Sequence, residues 1–139
     1  MTLEIRPFEA EDEPAVAALW LEALAPTAPH HDPATVIRMK LAHDRELFLV
    51  AVVEGKIAGT VMGGYDGHRG WIYTVAVSPT HRRRGIGSAL LRRVEAELAS
   101  RGCMKINLQV RTSNAEVMRF YSALGYAVDD VISMGKRLY

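Results

Sequence analysis

The run Val75-Ala76-Val77-Ser78-Pro79-Thr80-His81-Arg82-Arg83-Arg84-Gly85-Ile86-Gly87-Ser88-Ala89-Leu90-Leu91 sets a β-branched strand, a basic glycine loop and an apolar helix in direct succession. Such a loop is a cradle for an anion. Gly85 and Gly87 permit a sharp turn and a close approach to a ligand, and the following helix points its unpaired amides back at the loop. Arg82, Arg83 and Arg84 add the positive charge that suits phosphate. A dinucleotide fold would place a third glycine where Leu90 stands and an acid near Gln109, Val110 and Arg111. Neither is there, and the lysine-serine pair of a nucleoside triphosphate loop is missing too.

A second chemical pair lies downstream. In Asn114-Ala115-Glu116 through Phe120-Tyr121-Ser122-Ala123-Leu124-Gly125-Tyr126, seven residues of helix bring a side chain back to within about 20° of its starting direction, so Asn114 and Tyr121 share a face. Val117, Phe120 and Leu124 make a neighbouring apolar stripe. Cys103 follows Gly102 at a strand start with no activating partner nearby in sequence, which suits structure better than an acyl-enzyme. His30-His31-Asp32 and His43-Asp44 match no strong ligand spacing, so no metal is expected.

The elements that must carry these residues follow from periodicity. Leu3 to Phe8 alternates as a strand. Val16, Leu19, Trp20 and Leu24 recur at helical spacing behind Pro14, until Pro26 and Pro29 end the run. A second helix covers Pro33 to His43, with Asp32 as its N-cap and Val36, Ile37 and Leu41 inward. Leu47 to Val53 and Ile57 to Met62 form a hairpin about Glu54-Gly55-Lys56, and the glycine-rich stretch from Gly63 to Gly70 loops into a strand from Trp71 to Val77. Ile86, Leu90, Val94 and Leu98 mark a helix that stops at Gly102, and Met104 to Val110 alternates as a further strand. Ser113 to Glu116 reads as a capping box opening a helix to Gly125, and short strands at 126–128 and 131–134 close the chain.

Length and charge narrow the classes. The 139 residues suffice for one core and fall short of two ordinary domains, so a single domain spanning residues 1–139 is expected. With 49% hydrophobic and 24% charged residues and a mean hydropathy of +0.01, the composition is that of an ordinary globular chain. Residues 67–94 hold six arginines and no acid within a chain of net charge +1, so the remainder is acidic. A basic island on an acidic chain favours a compact polyanion over a long nucleic acid. The N-terminus has neither a basic nor an apolar export region, no run is long enough to span a bilayer, and the lone cysteine suits a reducing compartment. Cytoplasmic location without a membrane or nucleic-acid partner is the expectation, with room for a homodimer.

The strand, the Arg82-x-x-Gly85-x-Gly87 loop and the later Asn114 and Phe120-Tyr121-x-x-Leu124-Gly125-Tyr126 motif together resemble the GNAT superfamily of acetyl-coenzyme A dependent N-acetyltransferases. Phe48-Leu49-Val50-Ala51, the 59–70 stretch, Arg101-Gly102-Cys103 and Gly135-Lys136-Arg137-Leu138 look like the bacterial YpeA-type members. The resemblance implies an α/β fold with a mostly antiparallel, splayed central sheet flanked by helices. It implies acetyl-coenzyme A as cosubstrate, entering where strands four and five part. Amides of Arg82, Arg83, Arg84, Gly85, Ile86, Gly87 and Ser88 would hold the pyrophosphate, while Val75 and Val77 would bond the pantetheine arm. Asn114 would contact that arm, Tyr121 would stand by the sulfur as general acid, and a strand amide such as that of Val75 would hold the oxyanion. Trp20, His30 and His31 would border the acceptor.

The base is the gap in this pattern. Many family members carry a glutamate on the central strand or on the strand after the glycine helix, where Trp71, Tyr73 and Gln109 stand here. Asp66, His68, Tyr73, a substrate group or a water chain remain, and His68, an imidazole in the loop leading into the central strand, is preferred. At pH 7 a lysine amine is neutral roughly once in 2,500 molecules, while an α-amine is neutral about once in six. A site without an evident base thus suits α-amines of peptides or proteins, or small amines of low pKa. The missing carboxylate also permits a coenzyme A binding or sensing module of weak catalysis.

Overall fold

The computed structural model describes residues 1–24 and 32–139, in two compact units, Met1–Gln109 and Val110–Tyr139. Pro26, Pro29, His30 and His31 lie outside the described residues. In the first unit, strands β1 (Leu3–Pro7), β2 (Phe48–Val53), β3 (Lys56–Tyr65), β4 (Gly70–Val77) and β5 (Ile106–Leu108) form one sheet in that order. All neighbours are antiparallel except β4 and β5. Helices α1 (Glu13–Ala23), α2 (Pro33–Leu41) and α3 (Ile86–Ser100) complete this unit. No helix among the described residues is long and apolar enough to cross a membrane.

Alternation along β3 decides which helix covers which face. Successive side chains point to opposite sides of a strand. A Cβ at Gly59 would meet Leu90 and Ile86, and one at Gly63 would meet Val94, so the odd positions face α3. Thr60 and Met62 face the other way, toward Trp20 of α1 and the cluster it forms with Phe8, Val16, Leu19, Ile37 and Phe48. Phe48 anchors that cluster, stacked on Phe8 at 4.5 Å between ring centres and on Trp20 at 5.9 Å. On the α3 side, Ile86, Leu90, Leu91, Val94 and Leu98 are buried, the every-fourth-residue stripe expected from the sequence.

The entry into α1 is fixed electrostatically. Asp12 accepts two hydrogen bonds from the Arg6 guanidinium, at 2.7 and 2.9 Å, and a third from the Glu9 amide at 2.8 Å. The Arg6 bond, helped by that amide, holds the Asp12 carboxyl below the usual carboxylate range. A depressed folded pKa stabilises above the unfolded value of about 3.9 and loses that contribution as pH falls through the lower folded value. Asp12→Asn is therefore expected to cost about 2 kcal/mol at pH 7. Urea unfolding of variant and parent should converge as the pH falls through the lowered Asp12 value.

Three expectations are corrected. Gly63, Gly64 and Tyr65 belong to β3 rather than to a loop, because the two glycines supply room and not a turn: a Cβ at Gly63 would stand 2.6 Å from Val94 Cγ2, and one at Gly64 would strike the Tyr73 hydroxyl. The fifth strand is cut to Ile106–Leu108, the residues that pair with β4. In the second unit, 126–128 and 131–134 are not strands, and Val128, Val131, Ile132 and Met134 are exposed. An alternating pattern becomes a strand only where a neighbour supplies the hydrogen bonds.

Candidate active site

The chain leaves β4 through a 3-10 turn at Pro79–His81 and enters the loop with Arg83 at φ 65° and Gly85 at φ 77°. Nothing lies within 4 Å of a Cβ built at Gly85, so glycine is there for its left-handed backbone alone. Gly85 is the N-cap of α3, and the first α-helical bond runs from Ala89 N to Gly85 O at 3.0 Å. The amides of Ile86, Gly87 and Ser88 therefore precede the helical ladder. No side chain caps them, and the first turn holds no acid. Arg82, Arg83 and Arg84 are exposed beside them. An uncapped positive helix end ringed by arginines fits a pyrophosphate.

The strand feeding this loop runs on beyond its pairing with β5. Pairing of β4 with β5 covers Gly70↔Ile106, Trp71↔Asn107 and Ile72↔Leu108, while β4 runs on to Val77. The β4–β5 pairing ends at Ile72. On the β3 side, Thr60 pairs with Ala76 and Met62 with Tyr73, so two residues of β4 stand opposite one of β3. This is a β-bulge, with Thr74 at φ 53°. Thr74 and Val75 have no registered partner in either neighbouring strand.

A cavity of about 470 Å³ opens between α2 and the β3–β4 hairpin, its walls including Val36, Lys40, Asp44, Met62, Trp71 and Tyr73. Lys40 is buried, its Nζ donates to the Gly63 carbonyl, and it lies 5.9 Å from the centre of the Tyr73 ring. Burial lowers the Lys40 pKa against the opposing pull of Asp44 and Glu46. Partial burial, with the charges of Asp44 and Asp66, raises that of Tyr73. Asp44 is held by the Tyr65 amide, which donates to its Oδ2 at 3.0 Å.

In the second unit, helix α4 (Ala115–Ala123) starts one residue later than the capping box implied. Asn114, not Ser113, is the N-cap, and its Oδ1 accepts from the Val117 amide at 3.2 Å. Tyr121 packs edge-on against Phe120 and Tyr126, with ring centres at 5.2 and 5.7 Å. Burial pushes its phenol up to about 12.

The model of the acetyltransferase (GNAT) family matches residues 13–126. The chain belongs to the GNAT acetyltransferase family. It is 50% identical over 136 residues to an acetyltransferase of Pectobacterium atrosepticum, covering 98% of this chain and 96% of that one. The structure of Ard1 from Thermoplasma volcanium superposes with a TM-score of 0.84 at 27% identity, covering 93% of this chain and 85% of the other. That of the ribosomal-protein-S18-alanine N-acetyltransferase from Escherichia coli does so at 0.73 and 26%, covering 89% and 77%. The protein is thus an acetyl-coenzyme A dependent acetyltransferase with a GNAT fold, and acetyl-coenzyme A is its cosubstrate.

Other residues singled out in the sequence of this acetyltransferase fall elsewhere. His68 lies in the exposed turn between β3 and β4, its ring beside the Arg69 guanidinium at 3.5 Å, and it is not among the residues lining the cavity. Asp66 and Tyr73 do line it. Cys103 packs against Gly70, and its thiol donates to the Lys105 carbonyl. Trp20 does not face a substrate: it is 5% exposed, inside the core cluster, with its indole nitrogen bonded to Thr60. Lys40 went unnoticed in the sequence. Its signal was a lysine three residues after Ile37, on the face of α2 that turns inward.

Proposed function

We propose that this acetyltransferase, with both units acting as one domain, passes the acetyl group directly to the α-amino group of a peptide or protein. The observation that carries the reading is the stretch of β4 beyond its pairing with β5, leading into the uncapped N-terminus of α3. The pyrophosphate takes the Arg82–Ser88 amides, and Val75 and Val77 offer main-chain bonds to the pantetheine arm, with Asn114 contacting it from α4. The amine nitrogen attacks the thioester carbonyl carbon. Negative charge grows on the carbonyl oxygen, held by the Val75 amide. The carbon–sulfur bond then breaks, the departing sulfur accepts a hydrogen bond from Tyr121, and the amine proton leaves to water.

The composition of β4, one relative and the cavity walls support this acceptor. No carboxylate stands on β4 itself, and an α-amine needs little help to lose its proton near neutral pH. The Escherichia coli relative acts on an alanine, whose side chain bears no amine, so the nitrogen it acetylates is an α-nitrogen. Asp44, Asp66, Trp71 and Tyr73 give the cavity acidic and aromatic walls suited to an ammonium group before it is deprotonated.

Mass spectrometry of acetyl transfer to two peptide sets at pH 7 tests this. One set carries a free α-amine and no lysine; the other has a blocked N-terminus and one lysine. The first is expected to react at least about tenfold faster, in line with its larger neutral fraction. Equal rates, or preference for lysine, would remove the α-amine reading.

A further inference from the structure

We infer that Trp20 and Thr60 are positioning residues for acetyl transfer. Through a buried hydrogen-bond relay they hold the β4 bulge that aims the Val75 amide at the thioester carbonyl. The inference rests on the functional reading above, in which that amide holds the oxyanion.

The relay is read atom by atom. Trp20 Nε1 donates to Thr60 Oγ1 at 2.9 Å, and Thr60 Oγ1 donates to the Thr74 carbonyl at 3.3 Å. An indole nitrogen only donates and a carbonyl only accepts, so the hydroxyl between them has one orientation that satisfies both. Thr60 is 0% exposed, which keeps water from substituting for either bond. Bonds in such a chain polarise one another in a dry interior.

The carbonyl at the end of the relay belongs to the strained residue. Thr74 is β-branched and holds φ at 53°, a region such side chains avoid unless their surroundings impose it. The Thr74 C=O and the Val75 N–H are the two ends of one planar peptide, and no cis bond occurs among the described residues. In a trans peptide these groups point in opposite directions. Fixing the oxygen toward Thr60 therefore turns the Val75 hydrogen away from it. Val75 stands at the register break between β3 and β4 and beyond the pairing of β4 with β5, so the set of this peptide plane gives the direction of its N–H.

The relay also gives α1 a role beyond packing. Trp20 lies in the aromatic stack on Phe48 and inside the core, so the donor that starts the relay is itself immobile. A helix early in the chain thus sets one backbone dipole on the fourth strand. Preorganised donors of this kind act because they need not reorganise as charge develops.

Thr60→Val keeps the shape and removes the donor, whereas Thr60→Ser keeps the donor. With a peptide bearing an N-terminal alanine, Thr60→Val is expected to lower kcat about tenfold or more and leave the KM for acetyl-coenzyme A within about twofold. Thr60→Ser should stay within about threefold of the parent. An acceptor-independent readout is the Val75 amide proton in NMR. It should move downfield with acetyl-coenzyme A more than with coenzyme A, and Thr60→Val should abolish that difference. If Thr60→Val does not fold, Trp20→Phe, which preserves the stack, carries both measurements. Parental kcat and an unchanged Val75 shift in the donor-less variant would overturn the inference, as would equal losses in Thr60→Val and Thr60→Ser. A parent enzyme that shows the Val75 shift but acetylates no α-amine peptide would instead sink the functional reading while the relay stands.

Discussion

Tyr121→Phe is expected to lower kcat about 100-fold while leaving acetyl-coenzyme A affinity within about twofold. The reason lies in the direction of the phenol's shift. Burial raises its pKa to about 12, and coenzyme A is a thiol whose reference value is about 8.5. Complete proton transfer from phenol to thiolate would run uphill by about 3.5 units, or roughly 5 kcal/mol. A hydrogen bond that shortens as the sulfur gains charge is cheaper, and it needs the phenol to keep its proton. A phenol is neutral below its pKa, so a value near 12 keeps the donor intact across the working range. The rate should therefore rise with pH as the acceptor amine loses its proton, with no descending limb between about pH 7 and 10. Stopped-assay profiles of both enzymes check this. Undiminished turnover in Tyr121→Phe would take the phenol out of the reaction, and a descending limb near neutral pH would mean that another group titrates.

Gly63→Val is expected to destabilise the fold by about 3 kcal/mol. A Cβ at Gly63 would stand 2.6 Å from Val94 Cγ2 and 3.6 Å from Leu47 Cβ, and both neighbours are fully buried. Close-packed interiors have no slack for such an atom, and valine adds two methyls beyond it. Either β3 bends or α3 moves off the sheet. Gly64 supplies the contrast, because a Cβ there meets the hydroxyl end of the partly exposed Tyr73 side chain, which can swing aside. Gly64→Ala should thus cost less than Gly63→Ala, and Val94→Ala should return part of what Gly63→Val loses. Urea unfolding of these variants measures the ranking. Equal costs at 63 and 64 would mean that the approach of α3 is not what demands glycine.

These two residues show where reading the sequence succeeds and where it stops. The seven-residue spacing puts Asn114 and Tyr121 on one helix face, which needs only the helical repeat, while their roles at the cofactor come from the family resemblance. The α3 helix, its glycine N-cap and the arginine loop were equally legible, since each is a local pattern of charge, backbone freedom and apolar period. Gly63 and Gly64 misled because glycine has two uses, turning and making room, and one letter stands for both. The terminal alternations misled for a related reason: period two describes a strand's side chains but not whether a partner strand is present. His68 draws attention as an imidazole near the central strand, and it stands in an exposed turn beside Arg69.

By itself the sequence determined the donor. The loop from Arg82 to Ser88 and the Asn114–Tyr121 motif are short-range features, and short-range features suffice to make an anion cradle and to place a tyrosine on a helix face. Tertiary structure alone decided how the bulged backbone of β4 is held. Trp20, Thr60 and Thr74 are separated by 40 and 14 positions, and nothing in their spacing says that an indole on α1 bonds a hydroxyl on β3 that in turn bonds a carbonyl on β4. The same is true of the buried Lys40 and of the glycine faces of β3. Each depends on which surfaces fold against one another, and that is fixed by packing the whole core rather than by any local period.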